Sequence, residues 1–340
     1  MAVKGIGKIN TYGVVMVEKI TDGVYRIHVP LPGSPLKLLN SYCIKGDGRD
    51  LLIDTGFNRP ECREALYGGL QELDVRQDAL DILVTHRHAD HSGQAPGLAS
   101  HPETKVFADP VEAQGINDFT SGEAYWNKAL ERLVPHGFSI EENALLKQQH
   151  PGIRYVGERM LEYTLIHDGD ELVYGDRVLR VIRTPGHTPG HVTLYEPNLK
   201  LYISGDHILG DITPNITRWA GVEDSLGDYL NSLEKVRALD VALVLPGHRS
   251  LIDDMAARID SLKKHHEARL DEVRAILAQG AASGYEVASK MGWSIRGTWA
   301  DFPVTQKWFA TGEALAHLDR LVALGEARVE EKGGKVFFCL

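Results

Sequence analysis

Cysteine is scarce in this chain. Cys43, Cys62 and Cys339 are the only three among 340 residues, widely spaced and with no CxxC pair. That pattern argues against a disulfide framework or a thiolate zinc site and points to a reducing cytoplasm. Nor does any run approach the roughly 18 apolar residues a membrane helix needs. Met1 to Lys19 holds one short apolar run, Val14–Val17, which is too brief for a secretory signal. Positive charge is in deficit, with 37 Lys+Arg against 47 Asp+Glu and a net charge of -10. A protein whose main task is coating nucleic acid needs the opposite balance, although a local basic groove stays open. GxSxG is absent, and there is no internal repeat or low-complexity tract.

Against these absences, 43% hydrophobic and 25% charged residues describe an ordinary globular chain rather than a disordered one. Its length suits one large domain plus a smaller one. From Gly23 to Pro246 short β-rich runs are punctuated by Gly, Pro and Asp. Strands are expected at Val24–Val29, Asn40–Ile44, Asp50–Ile53, Leu80–Thr85, Lys105–Ala108, Glu171–Tyr174, Val178–Arg183, His191–Tyr195, Lys200–Ser204 and Val241–Leu245. Helices are expected at Arg59–Leu73 and Leu226–Ala238, so the class is α/β with packed layers.

Two segments depart from that rhythm. Residues 111 to about 165 read as mostly helical, with helices at Ala124–Val134 and Glu141–Gln149. Phe119, Tyr125, Trp126 and Phe138 in this insertion either contact a ligand over a cleft or pack a small core of their own. Beyond Asp253, helices at Asp254–Gln279, Tyr285–Met291 and Ala314–Leu324 precede a hairpin of Ala327–Glu331 and Val336–Cys339, the order of a winged-helix module. The expected domains are therefore 1–254, carrying the insertion, and 255–340.

The histidines are the feature to follow: there are 15, and three fall within six residues of HRHADH at 86–91, directly after the apolar run Leu80–Val84. Loops at the C-terminal ends of strands are where α/β folds place their sites. Three imidazoles and a carboxylate suit a divalent metal of the zinc type, and would repel one another if protonated without one. Three further segments end β-like runs in the same manner: TPGHTPGH at 184–191, SGDH at 204–207 and PGH at 246–248. Their Gly and Pro residues force tight turns that fix side-chain direction.

Together these segments resemble the metallo-β-lactamase superfamily, over roughly residues 20–250. The resemblance implies a four-layer αβ/βα sandwich with a dinuclear metal cleft along one edge. On that likeness His86, His88 and His187 hold one metal, Asp90, His91 and His248 hold the second, and Asp206 bridges both. Asp54, in LLIDTG at 51–56, matches a family position that supports the metal loop from behind. His191 and His207 receive no ligand role. The tail from about 255 resembles the winged-helix appendage of one branch, the β-lactamase-like protein 2 and glyoxalase II-like branch, in which ITPNI at 212–216 also looks familiar. The 96 positions from His91 to His187 exceed what compact members use, and the insertion accounts for the excess.

The implied chemistry is hydrolysis. Two divalent ions about 3.5–4 Å apart lower the pKa of a shared water and polarise the scissile oxygen, so no Ser or Cys nucleophile is required. Asp90 is the expected proton handler. The first expectation is a dinuclear metal-dependent hydrolase acting, through a metal-bridging hydroxide, on a small-molecule ester, thioester or lactone. A phosphodiesterase or endoribonuclease gripping nucleic acid with the winged helix stands second, since residues 255–340 carry 12 Lys+Arg and 11 Asp+Glu, a net of +1. A mononuclear iron sulfur-dioxygenase-type enzyme is a third reading, and a non-enzymatic winged-helix regulator a disfavoured fourth. Zinc leads as the metal, with Mn and Fe open; no membrane partner is expected, and homo-oligomerisation is left open.

Overall fold

The computed structural model describes residues 4–9 and 15–340, with side chains from Met16 onward. Val14 of the apolar run, with residues 1–3 and 10–13, lies outside the described residues. The first sheet has eight strands in sequential order: β1 (Lys4–Ile9), β2 (Val15–Thr21), β3 (Val24–Pro30), β4 (Leu38–Ile44), β5 (Asp50–Ile53), β6 (Leu80–Leu83), β7 (Val106–Ala108) and β8 (Thr164–Leu165). β1 to β5 pair antiparallel and β5 to β8 pair parallel. A parallel neighbour needs a crossover, usually helical. Helix α1 (Pro60–Glu72) serves β5 to β6, and the short turns α2 (Ala89–Ser92) and α3 (Ala95–Leu98) serve β6 to β7. The insertion is the β7-to-β8 crossover: α4 (Pro110–Thr120), α5 (Glu123–Glu131), α6 (Ile140–Gln149) and α7 (Pro151–Arg154).

The second sheet has the order β13-β12-β11-β10-β9, from β9 (Glu171–Tyr174), β10 (Arg177–Arg183), β11 (Val192–Glu196), β12 (Leu201–Gly205) and β13 (Leu243–Pro246). Helix α8 (Ser225–Arg237) makes the parallel crossover from β12 to β13. In the tail follow α9 (Met255–Leu277), α10 (Gly284–Lys290), α11 (Val304–Ala323) and the hairpin β14 (Arg328–Lys332) with β15 (Lys335–Cys339).

Alternation along the strands divides the interior into layers. Leu51 and Ile53 of β5 face Leu201, Ile203 and Leu245 of the second sheet in a core between the sheets. Leu52, pointing the other way, packs beneath α1 with Leu66 and Leu70. On the far side of the second sheet, Ile182, Tyr202 and Val244 meet α8. Helix, sheet, sheet, helix is the four-layer αβ/βα arrangement expected.

That outermost core does not stop at α8. Leu130, Phe138 and Leu146 of the insertion and Ile259, Leu315 and Phe338 of the tail belong to the same buried cluster as Tyr229 and Leu233. One apolar interior thus runs through the sequence position 254/255. The aromatic side chains of the insertion serve packing: Phe119, Trp126 and Phe138 are buried, and Trp126 stacks on His150 and donates its indole N–H to the carbonyl of Phe119.

Several expected boundaries are corrected. The insertion is helical only as far as Arg154; 155–163 form neither helix nor strand, and 164–165 add β8. The helix expected at Ala124–Val134 ends at Glu131 and is followed by a separate 3-10 turn at Val134–His136. Helix α11 begins ten residues before the expected Ala314, just after Pro303. Its weak helix former Gly312 sits against Thr217 of the 206–224 loop, where a side chain would not fit, and the Thr311 hydroxyl donates back to the Lys307 carbonyl. Cys43, Cys62 and Cys339 are free thiols. No helix among the described residues is long and apolar enough to cross a membrane.

Candidate metal centre

The C-terminal ends of β5, β6, β10, β12 and β13 open on one edge of the sandwich, and their loops carry all of the residues singled out above. His86 and His88 follow β6, Asp90 and His91 lie on α2, His187 follows β10, Asp206 follows β12 and His248 follows β13. Both sheets therefore contribute. Two glycines permit the close approach: Gly205 (φ +49°), where a Cβ would meet His191 Nε2 at 2.9 Å, and Gly186 (φ +137°), where it would meet Tyr229 Cα at 2.5 Å.

The donor atoms converge. His88 Nδ1 lies 3.1 Å from His86 Nε2 and 3.0 Å from His187 Nε2. His91 Nε2 lies 3.3 Å from His248 Nε2, which is 3.5 Å from Asp90 Oδ2. Asp206 stands between the two sets: Oδ2 is 3.7 Å from His187 Nε2 and 3.6 Å from His248 Nε2, and Oδ1 is 3.6 Å from His91 Nε2. Three groupings keep their donor atoms within 4.8 Å: His86/His88/His187, His86/His91/Asp206 and Asp90/His91/His248.

The outer edges of the rings fix the inner ones. His187 Nδ1 donates to the carbonyl of Asn215 and His248 Nδ1 to that of Leu38, each at 2.8 Å. A neutral imidazole that donates at one nitrogen presents a lone pair at the other. His91 Nδ1 donates to Asp54 Oδ2 at 2.7 Å, and His86 Nδ1 to Thr85 Oγ1 at 3.0 Å. Thr85 in turn donates its hydroxyl to Asp54 Oδ2 at 2.8 Å and its amide to Asp54 Oδ1 at 2.8 Å. Asp54, held at φ +63° in the left-handed region that Asp tolerates, thus orients His91 directly and His86 through Thr85.

Lone pairs consequently face lone pairs across the centre. Asp206 Oδ1, buried, has no hydrogen-bond partner. Burial and then the neighbouring imidazoles push His86 and His88 well below the ordinary histidine range, towards the neutral, ligating form. Burial would raise the Asp90 carboxyl, yet the His248 hydrogen bond and the nearby imidazoles bring it down to about 2. Burial likewise lowers His187, whereas the Asp54 and Asp206 carboxylates push His91 well above the ordinary range and Asp206 and Asp90 raise His248, each against the effect of burial. Imidazoles beside ionised carboxylates that favour positive charge, with an orphan oxygen between them, are a donor set that fits divalent cations.

Other groups here carry no signal in their own stretch of sequence. Glu112 of α4, fully buried, accepts from the Arg87 amide and guanidinium and from the Gly190 amide at 2.7 Å, so the insertion ties the HRHADH loop to the GHTPGH loop. Trp219 lies over the Arg87 guanidinium at 5.1 Å, faces His88 and donates to the carbonyl of His187. His191, given no ligand role, accepts at Nε2 from the Asp206 amide at 3.1 Å. His207 is buried, and neither ring nitrogen has a partner. A cleft of about 1070 Å³ lies elsewhere, lined by Arg49, Asp81 and Tyr174 among others, and shares no residue with the centre.

Comparison with known proteins places this geometry. The family model for the metallo-beta-lactamase superfamily matches residues 37–248, which include every donor named above. The chain is 26% identical over 266 residues to the Beta-lactamase-like protein 2 homolog of Caenorhabditis elegans, covering 77% of this chain and 74% of that protein. It is 29% identical over 240 residues to the human Acyl-coenzyme A thioesterase MBLAC2, covering 68% and 80%. Among solved structures, the metallo-beta-lactamase family protein TTHA1429 of Thermus thermophilus superposes with a TM-score of 0.79 at 29% identity, over 94% of this chain and 99% of that one.

Proposed function

This chain belongs to the metallo-beta-lactamase superfamily, and from that premise we propose that it is a dinuclear metal-dependent hydrolase of a small-molecule ester, thioester or lactone. The observation that carries the proposal is Asp206, whose carboxylate lies within 3.7 Å of donors from both His-rich sets. His86, His88 and His187 would hold one cation and Asp90, His91 and His248 the other, with Asp206 placed to serve both. A cation pair so held lowers the pKa of water toward neutrality and polarises an acyl oxygen.

The remaining work belongs to the side chains. Asp90, ionised and 3.5 Å from His248, accepts the proton of the attacking water at its carboxylate and returns it to the leaving thiolate or alkoxide. Asp54 and the carbonyls of Asn215 and Leu38 keep His91, His187 and His248 in the tautomer that presents the inner nitrogen. A thioester is the acyl substrate named for the human relative.

We read residues 255–340 as a winged-helix-like domain packed on the catalytic part, and the three free thiols as fitting a reducing cytoplasm. Six of the tail's twelve Lys and Arg residues pair with carboxylates: Lys263 with Glu234, Arg269 with Glu272 and Glu313, Arg274 with Glu267, Asp271 and Glu326, Lys307 with Glu142, Arg320 with Asp224 and Arg328 with Glu330. With a net charge of only +1 over 255–340, this favours a small acyl substrate over a phosphate backbone.

The test combines metal analysis of the purified protein with turnover of acyl-thioesters, lactones, aryl esters and bis(aryl) phosphodiesters. Two zinc or manganese ions per chain with acyl-ester or thioester turnover is expected. A single iron, or activity confined to the phosphodiester, overturns the proposal.

A further inference from the structure

The loop between β12 and α8 is docked on helix α11 of the tail at Asn215, Thr217 and Arg218. The Arg218 amide donates to the carbonyl of Gly312, and the Arg218 guanidinium pairs with Asp319. A Cβ at Gly312 would stand 2.1 Å from Thr217 Oγ1, so α11 and the loop are in direct contact there. Asn215, in the same loop, faces two ways. Its carbonyl accepts from His187 Nδ1 at 2.8 Å, and its side-chain amide donates to Glu313 Oε2 on α11 at 3.0 Å. The other oxygen of Glu313 lies 3.4 Å from the Arg269 guanidinium of α9, which also donates to the carbonyl of Gly292. The Glu313 side chain is only 14% exposed, and Asn215 and Arg269 satisfy its two oxygens.

We propose that Glu313 is a positioning residue for the metal centre: through Asn215 it fixes the carbonyl that orients His187, making the tail part of the site rather than an appendage to it. The inference rests on the reading of His187 as a metal ligand. Its physical basis is short. A carbonyl on a Pro-containing loop orients a ring only if the loop is itself held, and the amide-to-carboxylate bond is what holds Asn215 at the side away from the ring. Losing the carboxylate frees the carbonyl to swing, and the His187 ring then samples orientations in which Nε2 no longer meets His88 and Asp206.

The variants Glu313→Ala, Glu313→Gln and Asn215→Ala, with the double Asn215→Ala/Glu313→Ala, test this in the full-length chain by chelator competition for zinc, alongside thermal unfolding of the metal-free proteins. Glu313→Ala is expected to weaken zinc binding about tenfold, and Glu313→Gln, which keeps an acceptor for the Asn215 amide, less than threefold. The double variant is expected to be no worse than either alanine variant alone, since both break one link. A merely structural role lowers the melting temperature of the metal-free protein and leaves the zinc affinity of the folded fraction at the wild-type value; that result overturns the proposal, as does additivity in the double variant. His187→Ala separates the two readings. If it binds as much zinc as wild type, the assignment of the metal centre fails; if it loses zinc while Glu313→Ala does not, only the positioning role fails.

Discussion

Replacing Asp54 by Asn changes one oxygen to an amide nitrogen, yet the structure makes the consequence large. Asp54 accepts three donors: the Thr85 amide, the Thr85 hydroxyl and His91 Nδ1. An Asn cannot accept from the backbone amide and the imidazole through different atoms. With its oxygen towards Thr85, its NH2 faces His91 Nδ1, and the imidazole must shift its proton to Nε2. That nitrogen is the one 3.3 Å from His248 and 3.6 Å from Asp206, so the proton sits where a cation belongs. Partners of this kind are worth about 10–100-fold in metal affinity, or about 1.4–2.8 kcal/mol. Alanine acts differently. It leaves the buried Thr85 amide without an acceptor, about 1–3 kcal/mol, and puts an ordinary residue at φ +63°, about 1–2 kcal/mol more. Asp54→Asn is therefore expected to lose metal with little loss of fold stability, and Asp54→Ala to lose both. Chelator competition and urea unfolding of metal-free protein measure the two quantities. Zinc affinity of Asp54→Asn within twofold of wild type would refute the tautomer argument.

Three further outcomes are expected. Among the described residues Asp206 is the carboxylate near both donor sets, so with Asp206→Asn metal content after dialysis should fall below that of wild type; equal content shows that Asp206 bridges nothing. Glu112→Ala strands the buried Arg87 charge and four donors, the Arg87 and Gly190 amides and two guanidinium N–H groups, which should cost about 3–5 kcal/mol in denaturant unfolding. Glu112→Gln, whose NH2 must face one pair of those donors while the charge stays unpaired, should also be clearly destabilising. Burial holds His150 down at about 3, enclosed by Trp126, Trp308 and Phe309. The unfolded chain takes up this proton below about pH 6.5 and the folded one does not, so stability present at neutral pH is lost as pH falls from 6.5 toward 3, by about 1.4 kcal/mol per unit. His150→Phe should cut the stability difference between pH 7.5 and pH 5 by about 2 kcal/mol in urea titrations; an unchanged difference rules out the linkage.

What could be read from the chain, and what could not, follows from how local each signal is. Ten strands between Gly23 and Pro246 announce themselves by alternating apolar residues between Gly, Pro and Asp, and each lies within two residues of its expected bounds. β2 carries Glu18 and Lys19 among its apolar residues, and β8 has two exposed residues, so neither stands out. The first half of α11 contains Thr305, Thr311 and Gly312 and is helical through its tertiary packing, which no local propensity reports. The His and Asp donors were visible because they crowd four short turns. The groups that aim them were not: the carbonyls of Leu38 and Asn215 have no residue identity, and the pairing of Arg87 with Glu112 joins positions 25 apart. Asn215 sits in the conspicuous ITPNI string, but nothing in that string names Glu313, 98 positions away, as its partner.

The apolar cluster shared by α8, the insertion and the tail has a consequence for biosynthesis. Residues up to Asp254 leave the ribosome before the surfaces that cover the outer side of α8 exist, and Phe338 follows 84 residues later. At about 5–20 residues per second, that gap is roughly 4–17 s. Throughout it the nascent chain shows the greasy flank of α8 to water and the 206–224 loop lacks its seat on α11. The growing chain is then a natural client for a holdase, and a stall or frameshift in the last quarter of the message would release a sandwich that aggregates instead of a smaller working enzyme.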